Sequence, residues 1–501
     1  MSGFLRNSAV AMLALVAAAC GSTAPLTSVG TQGAPGAQAL GSDASQGLDG
    51  SAAGAGGGSA GTAAGTNPGA SGSVVAGTGT AATGAAASPS GVGAGGKSAT
   101  VGPTTTTGRA APGPGGGKGP AAPGQLPAFP EDGVTASTIT IGGIFPISSG
   151  FSQVFNSKEL ARMVTKLVER TNAAGGINGR KVRFVWYDDG FDPGRGAEVV
   201  KKLVEQDKVT AIISTLSTFT TQTTAKYLLD HNVAHIAPEG YQPESYSMPN
   251  FYPVTNFFDV QGARIGKYLT CELGIKRVGV WSIADFPASK LGGDSIVKAV
   301  QACGGTVVDR EDPKFFEADY TPYILRMRAA NPDVIASAMD PLDDAVMVQT
   351  AQTQNYRPPK GMMFLSAMSA FKSIAQGMGS FADGFWSVSE FDASVGANSP
   401  LLNDFLTFAK SIGLDGSDRF PLEAWSGWAI FEAAARAAGP ELNRTTLRRE
   451  LDKLDIDLGF ACEPFHFRPG PKKANPCLRV MQWDAKKQVW NTLKPFERVV
   501  G

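Results

Sequence analysis

The stretch that decides the fold is TITIGGIF at positions 138–145, followed after one helical segment by NAAGGINGRKVRFVWY at positions 172–187. The β-branched runs at its two ends have the composition of buried strands, and the segment between them repeats apolar residues at helical spacing. These apolar residues are Leu160, Met163, Val164, Leu167 and Val168. Gly175 and Gly176 end the helix, because glycine readily adopts the left-handed conformation of a helix terminus. Strand, helix and strand in this order predict a parallel pair joined by a crossover helix.

The alternation continues in two successive blocks. Further strands are predicted at 209–214, 233–237, 277–282, 306–308, 334–337 and 362–366, with helical patterns between them. Helices are then predicted near 401–412, 424–438 and 445–454, before short strands that end the chain. The sequence therefore predicts an α/β protein with two Rossmann-like lobes, each built on a parallel sheet with helices on both faces.

The charges are balanced, with 44 Lys and Arg against 44 Asp and Glu in 501 residues. This argues against binding of nucleic acid through bulk charge. Within the tract 21–130 lie 30 of the 62 glycines, five charged residues and one aromatic residue, Phe129. Such a tract buries too little apolar surface to fold and is expected to be a flexible linker. The 371 residues from 131 to 501 have an ordinary globular composition and suffice for two domains.

The N-terminus predicts export and lipid attachment. Residues 1–19 contain Arg6 and then an uncharged run that is too short to span a bilayer and is typical of a signal peptide. Ala17-Ala18-Ala19-Cys20 resembles a bacterial lipobox, whose cysteine thiol receives a diacylglyceryl group. The alternative is a secretory signal with an incidental cysteine. We expect a signal peptide at 1–19, a lipid-anchored linker at 20–133 on the extracytoplasmic face of the membrane, and a folded region at 134–501.

Four further cysteines follow Cys20, and an even number is expected when all of them form disulfides in an exported protein. Proximity in sequence pairs Cys271 with Cys303 and Cys462 with Cys477. Neither pair has the C-x-x-C spacing of a redox or zinc site. The alternative is four buried thiols.

The motifs of the folded region resemble those of the type I periplasmic binding proteins of branched-chain amino acid ABC transporters. TITIGGIFPISSG at 138–150 resembles the family's opening strand and first binding loop, and NAAGGINGRKV at 172–182 resembles its most distinctive turn. Asp188-Asp189-Gly190 and LVEQDKVTAII at 203–213 match in order and spacing. The resemblance covers about 134–495, which is essentially the whole folded region.

This resemblance implies two lobes joined by three hinge strands, which close on a ligand in the cleft between them. Lobe one would comprise about 135–256 and 390–462, and lobe two about 260–388 and 463–495. The resemblance also implies delivery of a small-molecule solute to an ABC permease and its ATPase subunits. We expect a monomer without a cofactor.

The loops that follow the strands are the candidate ligand-binding segments, because ligands of α/β sheets lie beyond the carboxyl ends of the strands. By resemblance, Ser217, Thr218 and Thr220 align with the hydroxyl loop that holds the carboxylate in amino-acid-binding members. The N–H groups of the helix that this loop opens suit an anion. The alternative is a helix cap rich in Ser and Thr that binds no ligand. Ser149 and Phe151 belong to the first binding loop.

The loop after the strand at 233–237 carries Glu239 and Tyr241, where the family usually has small residues and a Ser or Thr. Glu239 is suited to accept hydrogen bonds from a cationic or amide-bearing ligand, and the alternative is a structural ion pair. The aromatic candidates for the walls of the cleft are Phe151, Phe219, Tyr241 and Phe286, and each has core packing as its alternative.

Lobe two is expected to contribute Asp285, Phe286 and Asp340 to the ligand site. Amino-acid-binding members generally carry an acidic residue in the loop that here reads SAMSA at 366–370. Ala367 and Met368 stand in that loop, which argues against an ordinary α-amino acid as the ligand.

No enzyme site is assembled by the sequence. His231 and His235 are four residues apart but fall on different predicted elements, so we expect no metal site. Gly293-Asp294-Ser295 resembles a lipase fragment, but no histidine lies nearby in the sequence. The sequence predicts a non-enzymatic solute-binding lipoprotein of an ABC importer, which captures a small polar or carboxylate-bearing solute (amino-acid-like, amide or organic acid). The alternative is a cell-envelope sensor or scaffold with the same fold and no transport role.

Overall fold

The computed structural model describes residues 126–149, 152, 156–239, 245, 247–370 and 372–499. The predicted signal peptide, Cys20 and most of the predicted linker lie outside these residues. Phe151 and Tyr241 of the candidate site also lie outside them.

The first sheet is parallel and has the strand order β2-β1-β3-β4-β5. Its elements, with the helices between them, are β1 Thr138–Ile144, α1 Ser157–Ala173, β2 Lys181–Tyr187, α2 Pro193–Glu205, β3 Ala211–Thr215, α3 Thr218–Asp230, β4 Ala234–Ile236 and β5 Phe251–Tyr252. Apolar side chains pack on both faces of this sheet, since Ile141 belongs to one core cluster and Ile212, which pairs with Gly142 on the adjacent strand, belongs to another. Both faces are therefore covered, as a parallel sheet requires.

The second sheet has the order β14-β13-β10-β9-β8-β6-β7 and is parallel from β10 to β7. The elements from 258 to 389 are α4 Phe258–Lys267, β6 Arg277–Trp281, α5 Pro287–Ala302, β7 Thr306–Glu311, α6 Thr321–Ala330, β8 Val334–Ser337, α7 Pro341–Thr353, β9 Met362–Phe364, α8 Ser366–Ala370, α9 Lys372–Gly377 and β10 Trp386–Ser389. A π-helical turn, Tyr268–Glu272, follows α4. These strands and helices enclose a core of their own.

After β10 the chain returns to the first core. The remaining elements are α10 Pro400–Ser411, α11 Arg419–Ala438, α12 Arg444–Leu451, the short pair β11 Asp455–Ile456 and β12 Phe465–His466, and the hairpin β13 Cys477–Asp484 and β14 Val489–Arg498. The hairpin then joins the second sheet in antiparallel orientation. The described chain thus passes between the two cores three times: after β5, after β10 and before β13. The predicted α/β class with two parallel-sheet lobes is confirmed. The antiparallel hairpin at the edge of the second sheet is a feature that the sequence analysis does not predict.

One helix boundary differs from the sequence prediction at a position that matters for the site, because α11 begins at Arg419 instead of near 424. The helix that follows the hydroxyl loop, α3, begins at Thr218. Pro421 lies in the first turn of α11, where the missing N–H costs no helical hydrogen bond. The charged residues that open α11 are therefore helical.

Both disulfides join the cysteines that are nearest in sequence. The Cα atoms of Cys271 and Cys303 are 5.1 Å apart, and those of Cys462 and Cys477 are 6.1 Å apart. Among the described residues, no helix has the length and apolar character needed to cross a membrane.

Candidate functional site

Two strands of the first sheet end in strained backbone at the same edge. Ser214 in β3 has φ of 56°, and Ala237, just after β4, has φ of 47°. A left-handed conformation is unfavourable for residues with a Cβ, and such residues concentrate at binding sites. The Ser214 hydroxyl donates to the carbonyl of Ala424 at 2.8 Å, which fixes this strand end against α11.

The hydroxyl loop after β3 divides into residues with different roles. Ser217 is the N-cap of α3 and is fully buried, yet its Oγ has no hydrogen-bond partner in the structure. Thr218 follows it and is half-buried. The Thr220 hydroxyl instead donates to Oδ2 of Asp189 at 2.5 Å within the first lobe. Ser217 and Thr218 thus stand at the open end of the helix, where the first N–H groups lack helical acceptors, while Thr220 supports the loop.

Glu239 lies beside this loop, since its N–H donates to the carbonyl of Thr215 at 2.7 Å. Its carboxyl is buried, and Oε1 accepts a hydrogen bond from Nη2 of Arg419 at 2.8 Å. The Arg419 Nε lies 3.6 Å from Oε2 of Glu423, one helical turn further along α11. Glu239 therefore forms the structural ion pair that was the alternative to ligand binding, but only through Oε1. Oε2 of Glu239 has no hydrogen-bond partner among the described residues.

Arg419 also reaches the second lobe and the hinge. Its Nη1 lies 3.5 Å from the hydroxyl of Ser366 at the start of α8. The Ser366 N–H donates to Oε1 of Gln261 on α4 at 2.8 Å. Glu390, which directly follows β10 where the chain returns to the first lobe, is buried within the electrostatic reach of Arg419. Groups from both lobes and from one hinge segment therefore meet here.

Asp340 is the N-cap of α7, and its Oδ1 accepts the N–H of Leu342 at 3.0 Å. Burial raises the pKa of its carboxyl to about 7, and the nearby carboxylates of Asp343 and Glu239 act in the same direction. The electrostatic effect of Glu239 on this pKa indicates that the two carboxyls face each other across the cleft, although they belong to different lobes. Asp285 is exposed, and its Oδ1 accepts the N–H of Phe315 at 2.7 Å.

Aromatic rings cross the cleft. The Phe219 ring of the first lobe lies 6.4 Å from that of Phe286 and 5.5 Å from that of Phe315, measured between centroids. Phe286 and Phe315 are themselves 5.5 Å apart. These three rings form an apolar contact between the lobes. Phe219 and Phe286 are candidate wall residues of the sequence, whereas Phe315 is not predicted.

The first binding loop is held by its own hydrogen bonds. The Ser149 hydroxyl donates to the carbonyl of Pro146 at 2.8 Å. Asp188, at the end of β2, accepts the N–H groups of Ile147 and Ser148 at 2.8 and 3.1 Å. No contact joins Ser149 to Glu239 or Arg419 among the described residues.

Two concavities lie away from this cleft. One of about 720 Å³ is lined in part by Val395, Pro400, Asp457, Cys462, Pro464 and Phe496. Another of about 380 Å³ lies between α1, α10 and α11 and exposes parts of Trp425 and Trp428. Neither is lined by the strained strand ends or by the buried carboxyls, so the cleft carries the polar groups suited to a specific ligand. Within the described ranges, no cluster of His, Cys, Asp and Glu side chains is arranged to hold a metal ion.

Sequence reasoning misses Arg419, Glu423, Glu390 and Phe315. One signal for the first two is an Arg and a Glu four residues apart, a spacing that pairs charges on a helix, among the apolar residues that open α11. Glu390 and Phe315 carry no comparable local signal, because only the tertiary fold brings them to the cleft.

Two α/β lobes linked by three chain passages, with polar and aromatic groups of both facing one cleft, define a two-lobed binding-protein fold. The chain belongs to the periplasmic binding protein family, whose sequence pattern matches residues 138–488. It is similar to an amino acid binding protein of Pseudomonas aeruginosa, with 26% identity over 176 residues, which are 35% of this chain and 47% of that protein. The chain thus spans about half the length of the curated relatives that it matches.

Solved structures show the same fold at low sequence identity. A leucine binding protein from Thermotoga maritima superimposes with a TM-score of 0.61 at 14% identity, over 72% of this chain and 99% of that chain. A fatty acid ABC transporter substrate-binding protein from Thermomonospora curvata superimposes with a TM-score of 0.62 at 16% identity, over 74% and 95% of the two chains.

Proposed function

We propose that this protein is the extracytoplasmic solute-binding lipoprotein of an ABC importer, and that its two lobes close on a small polar or carboxylate-bearing solute. The observation that carries the proposal is the convergence at one cleft of Ser217, Glu239 and Arg419 from the first lobe with Phe286, Asp340 and Ser366 from the second. Closure around such a site is the motion by which two-lobed binding proteins report the presence of a ligand.

The residues of the site suit a solute with two polar ends. The buried Ser217 hydroxyl and the first N–H groups of α3 can hold a carboxylate. Oε2 of Glu239 can accept a hydrogen bond from an amide or ammonium group. The named relatives bind solutes as different as amino acids and fatty acids, so the side chains of the site must decide the solute.

A ligand screen on the full chain tests this proposal. Thermal-shift measurements over amino acids, amides, short-chain acids and aromatic acids, followed by calorimetry, should identify a solute that raises the unfolding temperature. Ser217→Ala and Thr218→Ala should weaken its binding, whereas Thr223→Ala, on the exposed side of the same helix, should not. If no solute stabilises the protein, it acts instead as an envelope scaffold.

Membrane attachment is tested separately. In this proposal, residues 1–19 direct export, Cys20 carries the lipid and the linker holds the folded region away from the membrane. Cys20→Ser should move the exported protein from the membrane fraction to the soluble fraction. Retention of the variant in the membrane would contradict the lipid anchor and leave the solute site unaffected.

A further inference from the structure

Three buried glutamates surround one arginine at the cleft. Glu239, Glu390 and Glu423 are 6%, 2% and 0% exposed, and they come from the loop after β4, the hinge after β10 and the first turns of α11. We name them, together with Arg419, the glutamate cluster. Among the described residues, the only ion pairs of these three carboxyls are those that Glu239 and Glu423 form with Arg419. Arg419 therefore pairs with two of the three acidic groups, and Arg479 acts on Glu390 through electrostatics without forming an ion pair with it.

Most oxygens of the cluster lack a hydrogen-bond partner. Oε2 of Glu239 and both carboxyl oxygens of Glu390 and of Glu423 have none in the structure. The Ser366 hydroxyl is close enough to Glu390 to lower the pKa of that carboxyl, but no hydrogen bond of ordinary geometry reaches its oxygens. An ionised carboxylate that is buried without partners is strongly unfavourable. The cluster therefore needs either protons or an additional positive charge.

The electrostatics of the cluster favour protons. Burial raises the pKa of Glu390 against the opposing effect of Arg419. Burial also raises the pKa of Glu423 well above its usual range, and the neighbouring carboxyl of Glu239 adds to this rise. Across the cleft, Asp340 is a further acidic group with a raised pKa. Bringing the lobes together thus concentrates acidic groups for which Arg419 is the only ion-pair partner among the described residues.

We propose that the glutamate cluster binds a positively charged group of the solute, an ammonium or an amidinium, and releases protons to the solvent as that group enters. This inference rests on the proposed solute-binding function and narrows it to solutes that carry a cation. The incoming cation donates hydrogen bonds to the unpartnered carboxyl oxygens, and each displaced proton passes to the buffer, so the charge of the cluster is balanced.

The rest of the cleft fixes the orientation of such a solute. A carboxylate would be repelled by the cluster but is favoured at the start of α3, where the buried Ser217 Oγ lacks a partner among the described residues. Phe219 and Phe286 supply apolar surface beside these polar groups. The site therefore favours a zwitterion with its carboxylate at α3 and its cation at the glutamate cluster.

A matched series of linear five-carbon compounds tests the inference on the unmodified full chain. Calorimetric titrations compare 5-aminopentanoate, pentanoate, glutarate and pentylammonium at pH 7. We expect 5-aminopentanoate to bind about tenfold or more tightly than pentanoate, a ratio that a charge-assisted hydrogen bond provides. Glutarate should bind more weakly than pentanoate. Equal or tighter binding of pentanoate or glutarate would overturn the cation site and leave solute binding intact.

The broad ligand screen extends this test beyond one carbon skeleton. Hits that carry a positive charge support the inference, and hits that are confined to neutral or anionic solutes contradict it. A screen without any hit contradicts the proposed function itself, and the two failures are thus distinguishable.

Proton release gives an independent readout. Titration of a cationic hit in phosphate and in Tris, whose ionisation enthalpies differ, should show release of about one proton per solute bound. Glu423→Gln should reduce this release and weaken binding by about tenfold, whereas Glu198→Gln, on the exposed surface of α2, should change neither. Equal heats in the two buffers with the unmodified protein would contradict proton displacement.

Discussion

Nη2 of Arg419 lies 2.8 Å from Oε1 of Glu239, although 180 residues separate them in the sequence. This ion pair joins the first turn of α11 to the loop after β4, and both side chains are buried. It holds the acidic side of the cleft in place and leaves the second oxygen of Glu239 available to a ligand.

Removal of Arg419 should strongly destabilise the protein. Arg419→Met leaves Glu239 and Glu423 without their ion-pair partner, and loss of one member of a buried pair costs about 3–5 kcal/mol. The free energy of unfolding in urea measures this loss. Arg170→Met, which breaks an exposed pair with Asp404, is the control and should cost less than about 1 kcal/mol. Similar losses for the two variants would show that the Arg419 pair has no structural role.

Phe219→Ala should favour the open arrangement of the lobes. Phe219 is half-buried and touches Phe286 and Phe315 across the cleft, so its removal weakens a contact that exists only when the lobes meet. We expect a larger radius of gyration in small-angle X-ray scattering and about tenfold weaker solute binding, the size of an aromatic contact. Leu325→Ala, at an exposed position on α6, is the control. An unchanged radius and affinity in Phe219→Ala would argue against closure through this contact.

Asp340→Asn should change the dependence of stability on pH. The folded protein raises the pKa of Asp340 to about 7 from an ordinary value of 3.8, mainly through burial. A raised pKa means that the folded state binds an extra proton. This contribution to stability is fully present below about pH 4 and is lost as the pH rises through 7. Asparagine keeps the helix cap and cannot ionise.

The variant should therefore match the wild type near pH 4 and unfold at a temperature roughly 1–3 °C higher at pH 8. Part of the Asp340 side chain is exposed, so solvent screening keeps the expected shift small. Thermal unfolding at both pH values measures it. The prediction is wrong if the unfolding temperature changes between pH 4 and pH 8 by the same amount in the variant and in the wild type.

The two disulfides should contribute unequally to stability. In the chain-entropy model, the 15-residue separation of Cys462 and Cys477 corresponds to about 3 kcal/mol, and the 32-residue separation of Cys271 and Cys303 to about 4 kcal/mol. Paired Cys→Ser variants in urea unfolding measure these losses, and the reduced wild type should lose both. The chain-entropy account fails if the shorter loop gives the larger effect.

The sequence predicts local features of the fold and fewer features of the site. The bounds of β2 and β8 follow from runs of β-branched residues, and α1 follows from its helical periodicity, because these signals lie within each segment. Arg419 and Glu390 meet Glu239 only after two distant parts of the chain pack together. The periodicity of a single segment cannot predict such a contact between distant parts of the chain. The different roles of Ser217 and Thr220 also depend on a tertiary partner, Asp189.

A crystal structure of the protein with the solute from the screen tests the central claim most directly. The account predicts that the solute lies between the start of α3 and the glutamate cluster, with its cation within hydrogen-bond distance of Glu239 or Glu423. A solute bound instead in the concavity beside Cys462 and Pro464, with the cluster unchanged, would contradict it.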